Sequence, residues 1–381
     1  MTAAERYLVL GLRLGKHVDG LVDAYYGPTE LQEQVDAEER VDAAQLAADA
    51  DALAGGLSDG WLRDQVRGCA TYAHVLAGDD VSYVDEVEGC YGVRPTPTPT
   101  SIYEAVHARL DELLPPGGSL YDRRQAWRTR HLVDGELAVR ALGDLLPVLR
   151  ERTLEIVELP EGEQVELEPV DGEPWWAFNY YLGDLHSRVV LNVDVPTTGH
   201  DLIHLAAHEV YPGHHTEHAV KEQLLMRARG AVEEGIQLVP TPQAVLSEGI
   251  AETAADIALD AGGRAAAYDV LRRHGLELDP DLTEQISKAL EPLRTAALDA
   301  ALMIHSDGAS HAEAQAHVER WSLVPPEQAA HSVQFATDPT WRAYVATYST
   351  GRDLCRAYVG GDRGRFRRLL TEHVRLAELV K

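Results

Sequence analysis

The chain has 381 residues, 45% of them apolar, and 62 acids against 34 bases, a formal net charge of −28. That length and apolar share predict a large buried core, in one domain or two closely packed halves. The charge argues against nonspecific nucleic-acid binding and against an anionic membrane surface, since both need clustered Lys and Arg; its ordinary consequence is solubility.

Residues 3–25 carry apolar side chains at three-to-four spacing and predict a helix that stops at Tyr26-Gly27-Pro28. Helices are expected over 42–55, 61–78 and 101–114. Pro95-Thr96-Pro97-Thr98-Pro99-Thr100 cannot be helical and reads as an extended connector. A long amphipathic helix is expected over 120–157. The character changes at 160–196, where the alternation at Val165-Glu166-Leu167 and the β-branched run around Val189-Val190 predict two or three strands. The second of these, over 187–195, is a candidate edge strand for pairing with an extended peptide. Trp175-Trp176-Ala177-Phe178-Asn179-Tyr180-Tyr181 is either a cleft wall or an aromatic core under that sheet. From about 199 helices return, with breaks near Pro240, Gly262-Gly263, Pro280, Pro325-Pro326 and Pro339. The expected fold class is therefore mainly α, with a small β-sheet next to the helix that carries the densest histidines. Residues 1–159 read as an N-terminal helical cover and 160–381 as a catalytic half, packed as one unit. Cys69, Cys90 and Cys355 form no CxxC pair, which argues against a thiolate zinc site or a disulfide framework and fits a reducing compartment. The first twenty residues lack a signal-peptide pattern, and no apolar run approaches a membrane span, so a cytoplasmic location is expected.

Four histidines, His208, His214, His215 and His218, fall within eleven residues, with His204 one turn ahead. Apolar neighbours Leu202, Ile203, Leu205 and Ala206 predict burial. An unpaired buried polar group costs about 1–3 kcal/mol, so buried imidazoles need partners. At this density, beside Glu209, a metal site is the expectation. A zinc hydrolase needs neutral nitrogen ligands, one open position and a carboxylate base. The HExxH solution places two His at i and i+4, but here Pro212 stands where the second would be. Three pairings follow. His208 with His214, and Glu209 as base, inserts two residues relative to HExxH; Pro212 interrupts the helix and Gly213 permits rewinding, so that a two-residue bulge restores the angular position. His208 with His215 share a face but lie about 10.5 Å apart along a straight axis. His214-His215-Thr216-Glu217-His218 matches the inverted HxxEH pattern and needs no kink. His204 with His208 is a further i,i+4 pair. For the third ligand, Glu248 and Glu252 lie one turn apart on one helical face, with Gly249 and Ala251 permitting close approach of another helix. A lone pair of this kind is ordinarily a solvated acidic face. Beside the histidine cluster, Glu248 is expected as ligand and Glu252 as the carboxylate that holds an imidazole.

These residues resemble those of a bacterial family catalogued as domain of unknown function 885, marked by HExxPGHH and a following EGxA helix. The match here is His208-Glu209-Val210-Tyr211-Pro212-Gly213-His214-His215, then Glu248-Gly249-Ile250-Ala251, with Asn192 before and Tyr348-Ser349-Thr350-Gly351 after; it covers about 190 to 355. That family is similar in fold to the thermostable carboxypeptidase Taq family of zinc metallopeptidases, which are almost wholly helical and carry a Gly before the second ligand His, as Gly213 precedes His214. The resemblance implies one Zn2+ (with Co2+ or Mn2+ as alternatives) on His208, His214 and Glu248, and Glu209 as base. Ile250 stands where Trp is common after the EG pair, which implies an altered pocket wall.

The expected chemistry is hydrolysis of a peptide or small amide by metal-activated water, with Glu209 moving the proton. Tyr348 is the candidate oxyanion donor and His215 the second. Arg352, four residues after Tyr348, is the candidate for binding a substrate carboxylate, which implies a carboxypeptidase or dipeptidase. The competing classes are a hydrolase of a non-peptide amide metabolite and a silent metal-binding protein; the intact Glu209 argues against silence, because a structural site needs no base.

Overall fold

The computed structural model describes residues 1–173 and 175–380. Helix takes 65% of the chain and strand 8%, so the fold is mainly α with small sheets, as expected from the helical periodicity. The early helices lie at Ala43–Gly56, Trp61–Ala77 and Thr100–Leu113, close to their predicted spans. Two expectations fail for the same reason. The first helix stops at Gly15, and Val22–Tyr25 forms a strand against Ile236–Leu238. The 120–157 segment splits into helices Leu120–Arg130 and Gly135–Leu154, because Leu132–Val133 pairs with Thr197–Thr198. Asp134 then caps the second helix by accepting from the backbone N–H of Glu136 and Leu137. In both cases a distant strand partner overrides a helical pattern that is visible locally.

The sheet beside the histidines has three strands, Gln164–Val170, Ala177–Gly183 and His186–Asn192. Its order corrects the edge-strand expectation: His186–Asn192 is central, parallel to the first strand and antiparallel to the second. Both of its edges are paired, so it offers no backbone to a peptide.

The largest buried cluster draws on residues from Tyr7 to Leu379 and so runs across position 160. Near its middle, helices Pro242–Ala258 and Val345–Val359 cross at two glycines. A Cβ on Gly249 would lie 2.4 Å from the Gly351 carbonyl oxygen, and one on Gly351 would lie 2.3 Å from that of Val245. The two motif glycines therefore set the distance at which Glu248 on one helix meets Tyr344 and Tyr348 on the other. All three cysteines are free and buried. Among the described residues no helix is long and apolar enough to cross a membrane.

Candidate metal centre

Helix Gly199–Leu205 is capped by a Thr198/Asp201 box. It widens into a π-turn over Ala206–Val210, breaks at Tyr211-Pro212-Gly213, and restarts as helix His214–Lys221. The expected two-residue bulge within one helix is thus a wide turn followed by a new helix. Gly213 has an ordinary negative φ of −78°. What it supplies is space: a Cβ there would lie 1.8 Å from the His208 carbonyl oxygen. That contact folds the second helix back, so the His208 and His214 rings meet edge to face at 4.8 Å.

Glu248 completes the group. One nitrogen each of His208 and His214 and one Glu248 oxygen all lie within 4.8 Å of one another. His208 Nε2 is 3.7 Å from Glu248 Oε2, and His214 Nε2 is 3.8 Å from Oε1. Ligand atoms around a tetrahedral zinc sit about 3.4 Å apart, so the trio needs little adjustment to hold one. The His214 tautomer suits it as well. Ser247 donates its hydroxyl to Glu217 at 2.6 Å, so His214 Nδ1 must donate to Ser247 Oγ at 3.2 Å, which leaves the Nε2 lone pair free. Burial lowers the pKa of both His208 and His214, keeping the imidazoles neutral as metal binding requires. Burial also pushes Glu209 up to about 8 and Glu248 well above the carboxylate range. Glu248 Oε2 and Glu252 Oε1 are buried without a hydrogen-bond partner. Buried carboxylate oxygens with open lone pairs are donors that a divalent cation would satisfy.

Glu209 Oε1 lies 3.9 Å from His208 Nε2, and Asn179 from the small sheet donates to the Glu209 carbonyl at 2.5 Å. Tyr344 donates to Glu248 Oε1 at 2.7 Å and packs edge to face on Tyr348 at 5.4 Å. Tyr348 is half-buried, and burial together with the charges of Glu248, Glu209 and Glu252 raises its pKa, so it stays a protonated donor. Glu252 Oε1 stands 3.8 Å from His208 Nδ1. A second trio, His204, His208 and Glu252, has compatible spacing too. There Arg294 already sits 2.5 Å from Glu252, placing a fixed positive charge where a second cation would need to be. That favours the His208–His214–Glu248 group.

Two expected roles do not match the geometry. His215 is fully buried; its Nε2 donates to Glu163 at 2.9 Å and its Nδ1 accepts from Ser187 at 2.8 Å. Both nitrogens are committed, so it has no donor left for an oxyanion. The Ser187–His215–Glu163 chain has the order of a hydrolytic triad, but it is sealed from any substrate. Arg352 is also buried and donates to Asp353 and to the Glu291 carbonyl. Arg294, half-exposed, stands instead at the wall of a cavity of about 450 Å³ that Trp176, His204 and Glu252 also line, and it is the cavity's cation paired with Glu252. The inverted pattern loses its base: Glu217 is buried against Lys221, Gln243 and Ser247. His218, packed on Tyr181, belongs to neither trio. Of the residues not foreseen, Tyr344 was within reach, one turn before Tyr348 on the same face. Arg294 and the Ser247–Glu217 relay had no local signal.

No protein-family model and no curated protein matches the chain. Among solved structures it is similar to that of a "putative lipoprotein" from Colwellia psychrerythraea, with 14% identity and a TM-score of 0.52 over 92% of this chain. The chain spans 57% of that structure's length. At this identity the likeness shows a shared fold alone.

Proposed function

We propose that the protein is a zinc-dependent hydrolase of the metallopeptidase type, cleaving short peptides near their carboxyl end. The observation that carries this reading is the convergence of His208, His214 and Glu248 within 4.8 Å, with Glu209 alongside. The resemblance of the HExxPGHH and EGxA segments to a family related in fold to zinc carboxypeptidases supports it. When bound, the metal would supply Lewis acidity and a water of lowered pKa. Glu209 would take the proton of the attacking water and return it to the leaving amine; burial alone pushes its carboxyl up to about 8, and a cation held by the trio would favour the ionised form that accepts the proton. The Tyr348 hydroxyl donates to the oxyanion. Glu252 faces His208 Nδ1 at 3.8 Å and would accept its proton to orient the ring once the Nε2 holds the metal. Arg294, with one nitrogen on Glu252 and its remaining donors toward the cavity, takes the substrate carboxylate that the sequence had assigned to Arg352.

Metal content of the purified protein, and release of C-terminal residues from a peptide library by wild type and Glu209→Gln, test the reading together. Zinc in both proteins with turnover in the wild type alone is the expected result. Zinc in both with no peptide cleaved by either would overturn peptide hydrolysis.

A further inference from the structure

The cavity of about 450 Å³ that Arg294 lines has a second cationic wall. Three of its Arg and Lys side chains have acids of their own: Arg264 pairs with Glu284, Arg294 with Glu252, and Arg356 with Asp256 and Glu291. The remaining wall acid, Asp201, caps its helix by accepting the Thr198 N–H at 2.9 Å. Arg124 and Lys288 also line the cavity, brought there by helices Leu120–Arg130 and Pro280–Leu290. Neither makes an ion pair among the described residues. Once the internal pairs are matched, the charge left over at the wall is positive.

Arg124 is held in place. Its Nη1 donates to the Leu323 carbonyl at 2.5 Å, and Gln125 donates to the same oxygen at 2.8 Å. Leu323 ends its helix in the left-handed region, with φ at 54°. The Arg124 Nε is buried and has no hydrogen-bond partner. Burial and the like charge of Arg128 pull its pKa down to about 10, against the favourable charge of Asp201, so it stays protonated at neutral pH. A guanidinium that has lost water without gaining a counter-ion lacks compensation that a carboxylate could supply. The same cavity reaches the metal centre, since Glu252 in its wall stands 3.8 Å from His208 Nδ1.

We infer that Arg124, helped by Lys288, binds a second carboxylate of the substrate, the side chain of a carboxyl-terminal Asp or Glu, while Arg294 takes the α-carboxylate. This rests on the hydrolase reading above and narrows its substrate class. Hydrogen bonds between charged partners of this kind contribute about 10–100-fold in kcat/KM.

The test uses two peptides identical except for a final Glu or Gln, with the zinc-loaded full chain, in wild type, Arg124→Gln, Arg124→Lys and Lys288→Ala. Wild type should favour the Glu peptide by at least about tenfold. The ratio of the two kcat/KM values should fall toward one in Arg124→Gln and recover in part in Arg124→Lys, with zinc content equal throughout. A merely structural role on the Leu323 carbonyl would lower the melting temperature and slow both peptides alike. A wild-type ratio near one, or a ratio unmoved in a folded Arg124→Gln, overturns the inference while leaving hydrolysis intact. Should Arg124→Gln not fold, Lys288→Ala, at an exposed position, carries the test: a fall in the ratio of about threefold sustains the inference, and an unmoved ratio overturns it. If neither peptide is cleaved, calorimetric binding of free glutamate and glutamine to the zinc-loaded protein decides. Binding of glutamate alone, weakened in Arg124→Lys and Lys288→Ala, sustains the inference and removes the hydrolase reading; equal binding of both, or of neither, removes the inference as well.

Discussion

Replacing Gly213 by Ala tests the mechanical origin of the centre. A Cβ at this position would sit 1.8 Å from the His208 carbonyl oxygen and 2.5 Å from that of Ala207, where ordinary contact begins at 3.4 Å. The turn must therefore open by 3.4 − 1.8, or 1.6 Å, at backbone atoms that no side-chain rotation can relieve. Overpacking of this kind costs about 1–3 kcal/mol and sometimes more. The opening separates the two imidazoles, and metal–nitrogen bonds tolerate only about 0.2 Å. Zinc affinity should fall by about 100-fold or more, beyond the usual effect of disturbing a ligand's supporting residues. The assay is chelator competition for zinc, with thermal unfolding of the metal-free protein in parallel. Gly55→Ala is the control. That glycine lies in helix Ala43–Gly56 with nothing within 4 Å of the new methyl, so the change should be neutral or stabilise by about 0.4–1 kcal/mol. A Gly213→Ala protein that binds zinc as the wild type does and melts at the same temperature would refute the claim that this contact sets the histidine spacing.

Glu209→Gln should keep its zinc and lose about 10²–10⁴ in kcat, read by metal analysis and peptide release. Tyr348→Phe should lose about 10²–10³ in kcat with little change in KM, whereas loss of metal would point to a structural role. Arg294→Ala should raise KM for substrates with a free carboxylate and leave their amides less affected. Arg352→Ala should instead lower the midpoint of unfolding, since its guanidinium is spent on Glu291 and Asp353; equal KM effects in both variants would count against this assignment. Glu163 links the site's neighbourhood to acid stability. Burial pushes its pKa up, but hydrogen bonds from His215, Tyr211 and Arg150 prevail and hold it at about 2. A depressed carboxylate contributes stability above its unfolded pKa and loses it as pH falls through the folded one. About 3 kcal/mol should therefore disappear between pH 4.5 and about 2. Denaturant titrations across that range should show a much flatter acid limb in Glu163→Gln; an unchanged limb would contradict the assignment.

What could be read from the sequence divides along the line between local and distant causes. The helical class, the small sheet at 164–192 and the Pro-rich connector follow from periods and propensities that act over a few residues. The first helix was overextended because its strand partner, Ile236–Leu238, lies over 200 residues away, and no period in residues 16–25 records it. The centre splits the same way. His208, Glu209, His214 and Glu248 could be chosen because each belongs to a short segment whose residue types suit a metal: a dense histidine run broken by Pro-Gly, and a small-residue helix face. His215 misled because it lies next in sequence to His214 yet about 100° further around the helix, facing Ser187 and Glu163 rather than the ion.

Arg352 misled through its spacing from Tyr348, since an i,i+4 relation places two residues on one face but says nothing of which carboxylates or carbonyls wait beyond it. Here the Glu291 carbonyl waits, while Arg294, three residues further along that same connecting segment, pairs with Glu252 and is the cation proposed for the substrate carboxylate. The relevant distinction among charged groups is thus commitment. Glu217 is spent on Lys221, Glu163 on Arg150 and Arg352 on Glu291, while part of Arg294 and the Oε2 of Glu248 keep free valence. Function is expected where burial or crowding leaves a polar atom unsatisfied, because only an incoming cation or substrate can then recover the lost solvation.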